Sequence, residues 1–321
     1  MRSYLCFFPV SLSICAPLLL CGCSSSSSPS TATASDAGDA GPGLGDYDPT
    51  PFGGSRPVKL YVPTGYTGKP APLVILLHGY SASGAAEDLY LDLRPVAEEK
   101  NVLYAHPDGT VNPAGYRFWN ATDGCCNFYG STVDDSTYLE SLVKEIGTRY
   151  SVDPKRVYFF GHSNGAFMSY RMACDHADTV AAIASLAGAM WEDPSKCKPS
   201  SPVTVLEIHG TADMTIGYDG GTTAAPDAGA GGGGVYPSAT TTVGDWVTLD
   251  GCASAPDTSQ PNIDIETSLP GAETKVTRWA TGCRSSTQVD LWSIQGGSHV
   301  PGFAPSFAPM VFDFLLAHPK P

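Results

Sequence analysis

One serine stands at the centre of a Gly-x-Ser-x-Gly frame, GHSNG at residues 161–165. The chemistry open to such a residue is attack on an electrophilic carbon. The frame alone does not decide the matter, because glycine and serine are common residues. Its surroundings strengthen it: RVYFF before it reads as a strand, and AFMSYRMAC after it reads as a helix whose Phe167, Met168 and Met172 can pack inward. A tight strand-to-helix turn holds a serine in a strained conformation and lifts its Oγ above the sheet edge. Ser163 is therefore the candidate nucleophile, and small residues two positions either side of it, Gly161 and Gly165, keep the turn free of backbone clashes.

A serine hydroxyl attacks well only when a base accepts its proton, and on a strand-turn-helix scaffold the partners follow in the order serine, acid, histidine. Of seven histidines, His176, His209, His299 and His318 lie after Ser163. His318 is at the C-terminal end, His176 closes the helix after the serine, and His209 lies in an apolar run where it packs or orients a loop. His299 follows the strand QVDLWSI and the flexible Gly296-Gly297-Ser298, so it is the candidate base. Asp213, just past the strand PVTVLEI, is the candidate acid; Asp219 sits farther into a Gly-rich loop and Asp245 on a surface helix. The carboxylate would hold the imidazole Nδ1–H and fix its tautomer. Two backbone amides would receive a developing oxyanion: that of Asn164, next to the serine, and that of Tyr80, in the loop after LVILLHG.

These residues need a scaffold that brings strand ends together. Apolar runs near 72–79, 101–107, 156–161, 179–188 and 202–210 read as strands covered on both faces, with KVTRWAT and QVDLWSI as further strands. Helical patterns run over Glu87–Lys100, Asp135–Tyr150, Asn164–Cys174, Thr240–Leu249 and Ser306–Ala317. The alternation predicts an α/β fold with a mostly parallel central sheet flanked by helices on both faces.

The chain has 321 residues and a formal net charge of -14, with only 18 Lys and Arg, which argues against a nucleic-acid surface. Residues 1–22 read as a lipoprotein-type export signal: Arg2, an apolar stretch to Leu20, then Leu20-Cys21-Gly22-Cys23, which resembles a lipobox with Cys23 as the lipidated residue. An ordinary secretory signal is the alternative, and both send the mature chain out of the cytoplasm. Residues 23–50 read as a Ser/Ala/Gly-rich tether, residues 51–321 as the catalytic domain, and residues 220–242 as a Gly-rich surface loop. Membrane contact is expected only through the lipid, and the chain is expected to be a monomer. Six cysteines lie beyond the signal and anchor: Cys125, Cys126, Cys174, Cys197, Cys252 and Cys283. An even number in an exported chain points to disulfides, and the spacing offers no zinc pattern.

The segments LLHGYSASG, HPDGT, RFWNATDGCC, VDD, DPKRVYFFGHSNGAFMSYRMAC, IHGTADM and GGSHVPG together resemble the feruloyl esterase and polyhydroxybutyrate depolymerase family of α/β-hydrolases, over about residues 57 to 315. The resemblance implies an α/β-hydrolase fold and a secreted serine carboxylic-ester hydrolase without metal or organic cofactor. Its nucleophile, acid and base match Ser163, Asp213 and His299, and its substrates are feruloyl or acetyl esters of plant polysaccharide, or poly(3-hydroxybutyrate). It also suggests that Arg117, Trp119 and Asn120 border the substrate cleft, with Trp119 as a buried packing residue the alternative, and that Cys252 pairs with Cys283. An adjacent Cys125–Cys126 bond would be strained, so these two are expected to reach Cys174 and Cys197. The sequence departs from the family at Ser136-Thr137-Tyr138 and at Val300-Pro301-Gly302, where the family has Val-Gly-Phe and Thr-Trp-Pro-Gly. An acyltransferase, a serine peptidase and a non-catalytic binding protein are the competing functions on the same scaffold.

Overall fold

The structure, a computed structural model, describes residues 45–225 and 233–321. The segment read as an export signal, Cys23 and most of the segment read as a tether lie outside the described residues, as does the middle of the Gly-rich loop. The tether gives way earlier than residue 50. Asp46–Tyr47 (β1) pairs antiparallel with Tyr61–Val62 (β2), because the Tyr47 ring packs edge-on to Tyr61 and its hydroxyl meets His106 Nε2 at 3.0 Å.

After β2 come Ala71–Leu77 (β3), the helices Gly84–Leu91 (α1) and Arg94–Glu99 (α2), and Leu103–Ala105 (β4). A small hairpin, Thr110–Val111 (β5) with Arg117–Phe118 (β6), precedes Asp135–Arg149 (α3), Val152–His162 (β7), Asn164–Asp175 (α4), Ala182–Leu186 (β8) and Thr204–Gly210 (β9). A second hairpin, Gly221–Thr222 (β10) with Val235–Tyr236 (β11), leads into Ala239–Leu249 (α5). Thr274–Trp279 (β12), Val289–Ile294 (β13) and Phe307–Leu316 (α6) complete the fold.

Among the described residues, the large sheet has the order β1-β2-β4-β3-β7-β8-β9-β13-β12. Its centre from β4 to β13 is parallel, and the edges are antiparallel. This is the mostly parallel, doubly covered sheet expected from the alternating apolar runs, and the α/β-hydrolase architecture that the resemblance implies. Leu73, Ile75 and Leu77 pack on the face covered by α3, α4 and α5, while Val74 and Leu76 pack on the face covered by α1, α2 and α6. A strand's side chains alternate between faces, so a strand buried on both sides is apolar at successive positions, as β3 is, while β8 and β9 bury polar groups at Ser185 and at Glu207 and His209.

The helical pattern over Glu87–Lys100 is two helices. Asp92 takes φ 50 and ψ 47 and closes α1, its N–H donating to the Asp88 carbonyl, and α2 starts with Pro95 in its first turn. A continuous helix would drive the Pro95 ring into the carbonyl four residues back, whereas a first turn accepts proline freely.

Candidate active site

Ser163 lies between β7 and α4 with φ 53 and ψ -121, a backbone conformation that side chains other than glycine seldom adopt. Its N–H donates to Leu186 O on the neighbouring strand at 2.8 Å. The flanking glycines are required by space: a Cβ on Gly161 would overlap the Gly165 carbonyl, and one on Gly165 would overlap the Leu77 carbonyl. Strand, turn and helix thus form the elbow that the sequence pattern predicts.

The other two chemical groups arrive from neighbouring strands. Asp213 stands three residues past β9 and His299 five past β13, and these two strands are parallel partners. Their loops are stitched together by Ala212 N–H to Gly297 O at 3.0 Å and Gly296 N–H to Thr211 Oγ1 at 2.8 Å, and a Cβ on Gly210 would overlap Gly297. His299 Nδ1 then lies 2.7 Å from Asp213 Oδ2, while Asp213 Oδ1 accepts from the amides of Thr215 and Ile216 at 2.7 and 2.9 Å. A carboxylate can only accept, so Nδ1 carries the imidazole proton and Nε2 keeps its lone pair. Ser163 and His299 line one cavity of about 280 Å³, shared with Tyr80, Cys126, Phe128 and Ile216.

Burial pushes His299 below the ordinary imidazole value; the Asp213 hydrogen bond opposes this, and the facing His162 and His209 add to it. Burial would raise the Asp213 carboxyl, but its interactions with His209 and His299 and the Thr215 amide outweigh that and hold it well below the usual carboxylate range.

Asn164 is the first residue of α4, where an N–H has no intrahelical acceptor. Its side chain is engaged elsewhere, Oδ1 accepting from Trp119 N at 2.7 Å and Nδ2 donating to Trp119 O at 3.0 Å. On the opposite side, Gly79 packs so closely that a Cβ there would sit 3.4 Å from Ser163 Cβ, which brings Tyr80 to the cavity. His78 secures this loop, its Nε2 accepting from Gly109 N at 2.9 Å and its Nδ1 meeting Gly79 O at 2.8 Å.

None of the three residues assigned to the cleft lines this cavity. Trp119 is fully buried, its Nε1–H donating to His78 O, because the Asn164 amide grips its backbone from both sides. Asn120 is drawn away by Asp135, Val133 and Asn127 and borders a separate polar cavity with Arg171 and Trp191. Arg117 pairs with Asp108 at 3.0 Å on an outer groove. The lining comes instead from Phe128, Ile216, Thr215 and Thr223, loop residues without a periodic signature. Glu87 and His162 were also missed; the histidine inside GHSNG was the available clue.

The cysteines pair as Cys125–Cys126, Cys174–Cys197 and Cys252–Cys283. The last matches what the resemblance implies. The pairing of Cys125 and Cys126 with Cys174 and Cys197 is overturned: the turn at residues 194–196 returns Cys197 to the end of α4, 5.1 Å from Cys174 between Cα atoms, a span that a disulfide bridges readily. Cys125 and Cys126 then bond to each other, and Cys126 forms part of the wall facing Ser163.

Comparison with known proteins bears on the family and the fold. Feruloyl esterase B of Piromyces equi is 30% identical over 251 residues, covering 77% of this chain and 43% of that protein. Poly(3-hydroxyalkanoate) depolymerase C of Paucimonas lemoignei is 31% identical over 157 residues, 46% of this chain and 34% of that protein. The chain thus spans less than half the length of either relative. Among solved structures, an acetyl xylan esterase from Aspergillus awamori superposes with a TM-score of 0.55 at 15% identity, over 81% of this chain and 94% of that one, a likeness of fold. The family described as phospholipase/carboxylesterase matches residues 66–228, just over half of the sequence. On this match the chain belongs to the phospholipase/carboxylesterase family.

Proposed function

We propose that this chain is an exported serine carboxylic-ester hydrolase acting on esters of polymers, such as feruloyl or acetyl esters of plant polysaccharide or poly(3-hydroxybutyrate). The observation that carries the reading is the 2.7 Å contact of Asp213 Oδ2 with His299 Nδ1, in a histidine that shares a cavity with an elbow serine. In the proposed reaction His299 Nε2 takes the Ser163 proton as Oγ bonds to the ester carbonyl carbon. The amides of Asn164 and Tyr80 receive the oxyanion, and collapse of the tetrahedral intermediate expels the alcohol, which takes the proton from His299. Water, activated by the same imidazole, then releases the acid. Export rests on the N-terminal sequence and accords with the disulfides. The names of the curated relatives supply the candidate substrates.

The experiment is a panel of methyl ferulate, acetylated xylan, poly(3-hydroxybutyrate) and a peptide amide, offered to the purified chain and to Ser163→Ala. The variant is expected to lose at least about 10³-fold in rate on whichever ester the wild type cleaves. Equal rates for both proteins would refute the assignment, and cleavage of the amide alone would transfer it to a peptidase.

A further inference from the structure

Beneath Asp213 lies a buried row of ionisable groups that the proposed reaction does not use. His209 is 1% exposed at the end of β9, and Glu207, two residues earlier on the same face of the strand, is fully buried. His209 Nδ1 is 3.0 Å from Glu207 Oε1, and Nε2 is 2.8 Å from Ile216 O and 3.6 Å from Asp213 Oδ2. Tyr170 donates its hydroxyl proton to Glu207 Oε2 at 2.9 Å, and the Tyr218 ring closes the row edge-on to His209. A carbonyl oxygen cannot donate, so Nε2 must carry a proton. With Nδ1 against a carboxylate oxygen, both ring nitrogens face acceptors.

We propose that His209 is a positioning residue that stands in the core as an imidazolium between Glu207 and Asp213, keeping the Asp213 carboxylate ionised and aimed at His299. The inference rests on the ester-hydrolase reading for its kinetic consequence, though not for the charge state itself. Glu207, His209, Asp213 and His299 then alternate carboxylate and imidazole. Before reaction the row holds two carboxylates and one cation, a net single negative charge. When the Ser163 proton moves to His299 Nε2 the row becomes neutral and the negative charge passes to the oxyanion, so the net charge of the site is unchanged while the ionised Asp213 faces the new imidazolium.

The electrostatics run the same way. Burial pulls His209 down, but Asp213 and Glu207 outweigh it and raise its pKa to about 9. For Glu207 burial is the larger influence and raises its pKa, and its bonds with His209 and Tyr170 oppose this only in part. The titratable groups facing His299 are Asp213 and His209 from the β9 side and His162 from the elbow, with Glu87 of α1 behind His162. Of these, His209 and His162 lower the His299 pKa. Removing the His209 charge therefore raises it, whereas loosening Asp213 would lower it.

Two measurements test this. Nitrogen-15 NMR of the imidazoles in the wild-type chain, with His209 assigned by the signal lost in His209→Gln, is expected to show both His209 nitrogens protonated at pH 7.5; a neutral ring overturns the proposal. Hydrolysis of 4-nitrophenyl acetate across pH is expected to show kcat reduced about 10–100-fold in His209→Gln, as for other partners of a reacting group, with KM within about twofold of wild type. The acid limb of kcat/KM is expected to move to higher pH. A limb that stays means that His209 only packs, and a limb that moves down means that it holds Asp213 without carrying a charge; either overturns the proposal. If His209→Gln fails to fold, the wild-type spectrum decides, with His209 assigned through its backbone. If the wild type cleaves no ester at all, the function is refuted while the charge state of His209 is still measured.

Discussion

The Nε2 of His162 lies 3.0 Å from the backbone carbonyl oxygen of His299, so the residue before the elbow serine holds the main chain of the residue that would act as its base. The grip extends further. His162 Nδ1 meets Glu87 Oε1 at 3.0 Å, and Glu87 Oε2 accepts from Gly79 N at 2.9 Å. One buried carboxylate on α1 thereby connects the elbow, the loop carrying Tyr80 and the loop carrying His299. Tyr90, on the same helix, adds a hydrogen bond to Pro301 O at 2.9 Å.

Breaking this link should cost turnover more than binding. His162→Leu is expected to lower kcat about 10–100-fold with little change in KM, measured on a soluble ester beside a circular dichroism spectrum that stays native. Glu87→Ala leaves two buried donors without acceptors and is expected to destabilise the fold by about 1–3 kcal/mol for each, read by urea unfolding. Glu87→Gln, which retains an acceptor oxygen, should cost less.

The pH profile follows from the direction of the His299 shift. A base must be neutral to accept a proton, and burial holds His299 below the ordinary imidazole value. Lowering the pH through that depressed pKa removes the base. The acid limb of kcat/KM is therefore expected below the ordinary imidazole value, with activity retained where a solvated histidine would already be protonated. A limb at or above that value would contradict the buried setting of His299.

Glycines at two positions should respond in opposite directions to alanine. At Gly165 the new Cβ would meet the Leu77 and His78 carbonyls, so Gly165→Ala is expected to cost at least about 1–3 kcal/mol and to displace Ser163. Gly147, exposed on α3 with nothing within 4 Å of the added atom, should accept alanine with a gain of about 0.5–1 kcal/mol. Thermal unfolding of both variants gives the comparison.

The Cys174–Cys197 bond closes a loop with a sequence separation of 23. Replacing both cysteines by serine should remove about 2–4 kcal/mol of stability through the freer unfolded chain. The bond ties the far end of α4, the end opposite Ser163, so kcat on a soluble ester is expected to stay near that of the wild type at temperatures where the variant is folded.

Several parts of this protein were legible in the linear sequence because their causes are local. The strand, glycine and helix pattern around Ser163 specifies an elbow, since only small residues at 161 and 165 fit the turn. Unbroken apolar runs specify strands covered on both faces, and chain order together with position just past a strand end singles out Asp213 and His299 among the available acids and histidines. The split at Asp92 also has a local cause, marked by Pro95, although the helical pattern reads as continuous over Glu87–Lys100. Tertiary structure decided what depends on partners distant in sequence. Glu87 meets His162 across 75 positions, and Trp119 is taken out of the cleft by Asn164 across 45. The cysteine pairing depends on where a turn returns Cys197. Periodicity reports which face of an element is buried, but it carries no record of which neighbour the sheet order brings beside it. The charged row from Glu207 to His299 exists only because β9 and β13 are adjacent in that order.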